Sequence, residues 1–340
     1  MPLPLLLVPA AITAAVGIVK GKQAIDRTKE SKEVFGSAND LIEEWNTNVH
    51  ASRERANNEL DEYGRYKMEV ISTSIRDFVD VFKRIKNIEL NDTSQGLDEL
   101  NIESDSEELL TELEFSVVQL AKILGGGIAS VGSGAAVAFG AYSATMALGT
   151  ASTGAAITGL SGVAATNATL AWLGGGALAT GGAGIAGGTL VLGGLVLGPA
   201  LAVAGTVLSA AAKKRLNEAK ASLVKAETFR EDAKLFIINL DNIQDRVAIV
   251  HDTLLSVNKH FIKYNEKMKD ILFQNGLNWA DYTAEQKAII HRTFLMAQVV
   301  KGIIDTPILS EDGELTTKSL EIIKSSKLSV QEIMDQQMSY

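Results

Sequence analysis

Few residues of this chain have the types and spacing that chemistry requires. Gly182, Gly184 and Gly187 match the G-x-G-x-x-G pattern of dinucleotide-binding loops. That pattern supports cofactor binding only when a strand precedes it and an acidic residue follows about 20 positions later, and the sequence has neither. Residues 17–22 approximate a phosphate-binding loop, but Gln23 stands where a Ser or Thr is required. The sequence therefore predicts no cofactor.

Metal-binding and acid–base patterns are also missing. The four histidines have no partner at metal-ligand spacing: His50, His251, His260 and His291. Adjacent carboxylates, such as Glu43 with Glu44, lie on polar helix faces, where a charge is simply solvated. The chain has no cysteine, which excludes thiolate nucleophiles and Cys-ligated zinc. We therefore expect a protein that is not an enzyme and holds no metal.

The most distinctive feature is the apolar insert, residues 123–212, which contains no Asp, Glu, Lys, Arg or His. It holds 22 of the 30 glycines of the protein. A segment of this length without charge must be covered by lipid or by protein. A bilayer-spanning helix needs roughly 20 apolar residues, so two to four passes would fit. We predict membrane insertion, with a buried helical hairpin in a soluble bundle as the alternative.

Glycine spacing indicates how the insert would pack. We predict helices over 123–148, 155–173 and 185–212, because Gly-rich breaks separate these ranges. Small residues four positions apart let helix backbones approach closely in a membrane. The residues predicted to serve insertion or helix packing are Gly132, Gly140, Trp172, Gly184, Gly188, Gly194 and Gly198. Trp172 and Tyr142 are candidates for the membrane interface or for the core.

Amphipathic helical patterns flank the insert and define an arm, residues 23–86 and 213–274. Residues 213–274 contain no proline or glycine and predict one long helix with coiled-coil spacing. We expect Gly64 to break or kink the first part of the arm. The residues predicted to mediate arm assembly are Leu240, Ile243, Val247, Val250, Leu254, Val257 and Phe261. No segment alternates as a strand does, so the predicted fold is all-α, with long amphipathic helices around a Gly/Ala-rich apolar helical insert.

Composition divides the chain into five predicted segments. They are an apolar N-terminal helix (1–22), an amphipathic arm with an acidic linker (23–122), the apolar insert (123–212), a coiled-coil helix (213–274) and a C-terminal helical segment (275–340). In the last segment, Thr283 and Gln286 match a capping box, which predicts a helix from Thr283 to about Gly302. A final amphipathic piece carries Leu320, Ile323 and Leu328.

The N-terminal stretch and the overall charge limit the function classes further. Residues 1–19 are free of charged side chains, and the basic Lys20 and Lys22 follow them instead of preceding them, unlike a typical secretory signal. A retained membrane anchor, a buried bundle helix and a cleaved signal remain open. The formal net charge is −9, and neither half carries the basic stripe that nucleic-acid binding requires.

Two resemblances follow from these patterns. Residues 165–176 (ATNATLAWLGGG), with their Gly-rich continuation and the MPLPLL opening, resemble a group of poorly characterised bacterial membrane proteins with a glycine-zipper-like core. The layout, long amphipathic helices around an apolar insert, is similar to that of α-helical pore-forming toxins of the haemolysin BL and Xax/Yax types, and loosely to the apolipoprotein L group. In those toxins the apolar element is shielded in the soluble form and later inserts and oligomerises. The insert of this chain is longer and richer in glycine than theirs.

We therefore expect a membrane-active protein that inserts its apolar segment into a bilayer and oligomerises. A membrane-anchored scaffold without pore activity and a soluble bundle that binds partners are the alternatives. The expected partners are a lipid bilayer and further copies of the chain or a helical protein, with no nucleic acid. The expected location is membrane-associated, in the bacterial cytoplasm or inner membrane, with a secreted form as the alternative.

Overall fold

The computed structural model describes residues 9–88, 106–125, 127–142, 210–310 and 313–335. Its helices are α1 (Pro9–Val70), α2 (Arg76–Phe82), α3 (Ser106–Ile123), α4 (Ser133–Ala141), α5 (Ala210–Asn275), α6 (Ala284–Asp305) and α7 (Lys318–Asp335). A π-helical turn, Ile71–Ile75, joins α1 to α2, and 3₁₀ turns occur at Ile128–Ser130 and Trp279–Asp281. These ranges contain no β-strand, only two isolated bridges. The predicted all-α fold is confirmed.

The chain divides into two compact units, and both long helices contribute to each of them. The first unit comprises Met1–Arg53 and Leu190–Leu240, and the second comprises Glu54–Thr189 and Asp241–Tyr340. In the described residues, the first unit therefore consists of the beginnings of α1 and α5. The second unit contains the remainder of both helices together with α2, α3, α4, α6 and α7.

In the first unit, α1 and α5 run parallel. The Ser31 hydroxyl donates a hydrogen bond of 3.3 Å to the Arg215 carbonyl. Further along both helices, Ala38 and Ile42 form a buried cluster with Ala226. Partner numbers therefore rise together, which only a parallel pair allows. The helices pair because small apolar residues recur on the facing stripes, and charged residues cover the remaining surface.

In the second unit α1 and α5 are also parallel, and this unit contains the main hydrophobic core. Asn258 of α5 donates to the Tyr66 hydroxyl (3.1 Å), and Asn265 donates to the Ser74 carbonyl (3.2 Å). The core gathers the apolar stripes of α1, α2 and α5 with buried faces of α3, α4 and α6. Phe78, Phe82 and Phe261 are among its fully buried side chains. Coiled-coil packing of the long pair stays a prediction, but its parallel pairing is observed.

The structure confirms some of the predicted helices and differs from others in detail. The predicted single helix over 213–274 is confirmed by α5, and the Thr283–Gln286 capping box opens α6, with both reciprocal hydrogen bonds present. Gly302 does not end α6, which continues to Asp305. On α7, Ile323 is buried as the pattern indicates, whereas Leu320 and Leu328 are exposed.

Two predicted boundaries near the insert are wrong. Gly64 does not break α1, which stays helical to Val70. The predicted helix over 123–148 does not exist as one element, because α3 ends at Ile123 and α4 covers only Ser133–Ala141. Glycines explain the interruption: Gly127 has φ +90°, a conformation that other residues rarely adopt.

Candidate functional site

The beginning of the apolar insert is part of the protein core. From Ala136 to Ala141 every residue of α4 is buried within the second unit. Phe139 is fully buried, and Val131 and Val137 belong to the same hydrophobic cluster. Val131 and residues 136–141 are therefore covered by protein.

Two glycines allow α4 to cross α1 in direct backbone contact. A Cβ atom added to Gly64 would overlap the carbonyl oxygen of Ala136, and one added to Gly140 would overlap the carbonyl oxygen of Leu60. Neither obstacle is a flexible side chain, so no rotamer change relieves it. Gly140 thus lets α4 pack closely against α1 of the same chain.

Arg65 fixes the irregular segment that leads into α4. Its guanidinium donates to the carbonyls of Ile128 and Val131, both at 3.1 Å. Its remaining N–H groups bind the Asp61 carboxylate at 2.6 and 3.2 Å. A charged donor on buried carbonyls replaces the helical hydrogen bonds that the glycine-rich break removes.

Lys67 is fully buried and binds the C-terminal end of α4. Its Nζ donates to the carbonyls of Phe139 (3.1 Å) and Tyr142 (2.9 Å) and lies 4.7 Å from the centre of the Tyr63 ring. Burial lowers the pKa of Lys67 to about 7, although the charge of Asp305 acts in the opposite direction. A neutral amine has two N–H bonds, and the two carbonyls satisfy both.

The backbone completes this attachment. The Ala141 carbonyl accepts hydrogen bonds from the amides of Ile308 (2.9 Å) and Leu309 (3.1 Å). Carbonyls at the end of a helix lack partners inside the helix and otherwise need water. Here three such carbonyls of α4 and its cap are satisfied by protein groups. We call Gly64, Arg65, Lys67 and the 308–309 backbone the α4 clamp.

The other end of the insert emerges at a strongly basic part of the first unit. We call residues 20–32 and 213–225, where α1 and α5 begin their pairing, the basic end. It contains ten basic and three acidic residues, whereas the rest of the first unit (33–53 and 226–240) contains three basic and seven acidic ones. Because the pair is parallel, residues 9–19 of α1 and residues 210–212 of α5, none of them charged, lie toward the same end of this unit.

The predicted site residues fall into three groups: residues of α4, residues outside the described ranges, and buried residues of α5. Gly140 packs against α1, and Gly132 is the exposed N-cap of α4 with nothing within 4 Å of an added Cβ. Outside the described residues lie Trp172, Gly184, Gly188, Gly194 and Gly198. The seven predicted arm-assembly residues, Leu240, Ile243, Val247, Val250, Leu254, Val257 and Phe261, are all buried within the chain. Their role in assembly with another molecule stays a prediction.

Sequence reasoning missed the charged residues that the structure buries. Lys67 follows Tyr63 by four positions on the apolar face of α1, and this placement is the signal that could have identified it. Arg53 is also buried, over the Phe236 ring at 5.5 Å, and burial lowers its pKa. Its guanidinium makes no hydrogen bond within the described part of the chain.

Comparisons and searches for other kinds of site bring no identification. Comparison with protein-family models, curated proteins and solved structures finds no match. In the ranges that the structure describes, no group of three His, Cys, Asp or Glu side chains is arranged to hold a metal ion. Among the same residues, no helix combines the length and the hydrophobicity that crossing a bilayer requires.

Proposed function

We propose that the chain is a membrane-active helical protein whose apolar segments enter a bilayer while its paired helices remain in water. The segments concerned are residues 1–19, of which 9–19 begin α1, and residues 143–209, which lie outside the described residues. Residues 123–142 are not included, because the core of the second unit buries Val131 and residues 136–141 and the α4 clamp holds the end of α4. This bound is narrower than the sequence-based prediction for the insert.

The observation that carries the proposal is the parallel pairing of α1 and α5. It brings the described parts of two uncharged stretches, residues 9–19 and 210–212, to one end of the first unit. In the sequence, charged residues begin directly after both stretches, at Lys20 and Lys213. An arrangement with apolar groups at one end and charge behind them matches a membrane interface.

The composition of the insert suggests how it would behave in lipid. A segment rich in Gly and Ala gains less on transfer from water than a leucine-rich span does, since the gain follows the apolar area buried. Its glycines instead favour close helix–helix packing in the bilayer. We therefore propose conditional insertion followed by oligomerisation, with pore formation or membrane remodelling as the outcome. Exposed apolar side chains on α5, namely Val224, Leu235 and Ile238, support assembly between copies.

Flotation of the full chain with liposomes, followed by a carbonate wash, tests the proposal. We expect wash-resistant flotation at neutral or acidic pH. The chain has no native cysteine, so single-cysteine variants can carry an environment-sensitive dye. Quenching by doxyl-labelled lipids should be strong for a dye at Gln23→Cys and weak for a dye at Asn48→Cys, which serves as the control on the same helix. Absence of flotation at both pH values would contradict the proposal and favour the soluble bundle.

Dye release from the liposomes separates pore formation from anchoring. A pore-forming or remodelling protein releases an entrapped dye, whereas an anchored scaffold floats with intact vesicles. The scaffold alternative is favoured by one observation, the burial of the predicted arm-assembly residues within the chain, which makes the paired helices a stable element in the monomer.

A further inference from the structure

The basic end of the first unit presents its charge to solvent. Lys22 on α1 and Lys213, Lys214 and Arg215 on α5 are all exposed. Ion pairs in this region join Lys214 to Glu218 (3.9 Å) and Lys220 to Glu30 (3.4 Å), and every partner is at least half exposed. These pairs cancel two positive charges, and the ten basic residues of the basic end still outnumber its three acidic residues by seven. The region therefore keeps a strong positive potential.

The positive charge is concentrated rather than general. The whole chain carries a net charge of −9, yet the basic end has ten basic and three acidic residues. Beyond it in the same unit the balance reverses to three basic and seven acidic residues. A solvated helix surface with no electrostatic role does not require this separation along one helix pair. The first unit therefore has an asymmetric charge distribution, and its positive charge lies at the end where α1 and α5 begin. We call this concentration of charge the positive pole.

The neighbouring apolar segments indicate what the positive pole meets. On both helices the basic residues directly follow uncharged sequence, residues 1–19 before Lys20 and residues 123–212 before Lys213. Lysine and arginine at this position extend their charged groups into the headgroup layer while the apolar chain enters the lipid. Basic residues close to an anionic membrane surface strengthen binding to it.

We propose that the basic end binds anionic lipid headgroups and so selects an anionic membrane and orients the first unit on it. The ligand is the phosphate-bearing, negatively charged surface of lipids such as phosphatidylglycerol, contacted by Lys22, Lys213, Lys214 and Arg215. A shallow depression at this end of α5 is lined by Lys213, Lys214, Asn217, Glu218 and Ala221. This inference rests on the proposed membrane function and adds the chemical class of the membrane.

Vesicle binding by the full chain tests the inference with two lipid compositions. One set of vesicles is pure phosphatidylcholine, and the other contains phosphatidylglycerol. We expect at least ten-fold tighter binding to the anionic vesicles at low salt, and we expect most of this preference to disappear in about 1 M salt, where the Debye length falls to about 3 Å.

Two matched variants locate the effect. Lys213→Glu/Lys214→Glu reverses two exposed charges at the basic end, and Lys259→Glu/Lys263→Glu reverses two exposed charges further along α5 in the second unit. Both change the net charge equally. The first should lose at least ten-fold in binding to anionic vesicles with unchanged binding to neutral ones, and the second should bind as the native chain does. Circular dichroism checks that both remain folded.

The outcomes separate this inference from the proposed function. Equal binding to neutral and anionic vesicles, or an equal loss in both variants, overturns the basic-end inference while membrane binding itself stands. Failure to bind either kind of vesicle overturns both.

Discussion

Lys67 has an ionisable side chain that is fully buried, where a positive charge is unfavourable. Its side chain is fully buried, and the two carbonyl acceptors at the end of α4 replace only part of the hydration that a lysine ammonium has in water. The cost of burying the charge appears as a pKa of about 7 instead of 10.5. Between these values the folded chain holds a neutral amine, whereas the unfolded chain holds an ammonium. The unfolded state therefore binds more protons in this pH range.

We predict that the stability of the protein rises with pH between pH 7 and 9 because of Lys67. Since the unfolded state binds the extra proton, raising the pH favours the folded state, by at most about 1.4 kcal/mol per pH unit. Below pH 7 both states are protonated, and the Lys67 contribution becomes constant. Urea denaturation followed by circular dichroism at pH 7, 8 and 9 measures the slope.

The variant Lys67→Met provides the control, because it keeps the length of the side chain and removes the titrating group. Its stability should change little with pH over the same range. A slope that is equal in the native chain and in Lys67→Met would assign the effect to other groups. Tyr63, whose pKa is raised by burial, titrates above this range and does not interfere.

At the scale of the elements, the contact between α1 and α4 explains two glycines that are otherwise unfavourable. Glycine in the interior of a helix costs roughly 0.5–1 kcal/mol relative to alanine. Glycine is nevertheless required at positions 64 and 140, because a methyl group at either position would overlap a backbone carbonyl of the other helix. Gly36, also within α1, has nothing within 4 Å of an added Cβ.

We predict opposite effects for the same substitution at two sites of α1. Gly64→Ala should lower the free energy of unfolding by about 1–3 kcal/mol, because the two helices must separate to admit the methyl group. Gly36→Ala should raise it by about 0.5–1 kcal/mol, because only the helix propensity changes. Thermal or urea denaturation of both variants measures the difference. An increase in stability for Gly64→Ala would show that the close crossing is wrong.

The sequence predicts elements well where a helix has one buried face. The spacing of Leu240, Val247 and Leu254 on α5 reports a buried stripe against a polar surface, and Thr283 marks a helix start by purely local chemistry. Apolar spacing and helix caps depend only on residues close together in the chain, so both can be recognised from the sequence alone. The all-α fold and the extent of α5 follow from them.

The boundaries inside the insert could not be predicted, for a physical reason. Residues 136–141 of α4 are buried on all sides, so the helix has no polar face and its sequence has no period to detect. Gly64 was misinterpreted because its role depends on α4, far away in the sequence. Lys67 was overlooked because lysine is almost always exposed, and only tertiary contacts distinguish a buried one.

At the scale of the whole molecule, the parallel direction of α1 and α5 is the property on which the proposed function depends. It occurs in both units, with Ser31 bonded to Arg215 in the first and Tyr66 bonded to Asn258 in the second. A helical hairpin with a short loop produces an antiparallel pair instead. Because the pair is parallel, the uncharged residues 9–19 and 210–212 and the basic end that follows them lie at the same end of the first unit.

Cysteine cross-linking checks the direction and register of the pair. We predict that Ala38→Cys and Ala226→Cys form an intramolecular disulfide under mild oxidation, because both alanines belong to one buried cluster. Ala24→Cys with Ala226→Cys is the matched control: Ala24 is also buried on α1 but lies about 21 Å further back at 1.5 Å per residue. Cross-linking of the control pair, without cross-linking of the first, would refute the parallel register.

The parallel pair also has a consequence for how the protein is made. Ser31 and its partner Arg215 are 184 positions apart in the chain, and Tyr66 and Asn258 are 192 apart. At about 5–20 residues per second, a ribosome needs roughly 10–40 s between producing one partner and the other. During that interval the apolar stripe of α1 lacks the helix that covers it in the native state. The pairing of α1 with α5 therefore waits until most of the chain has been synthesised.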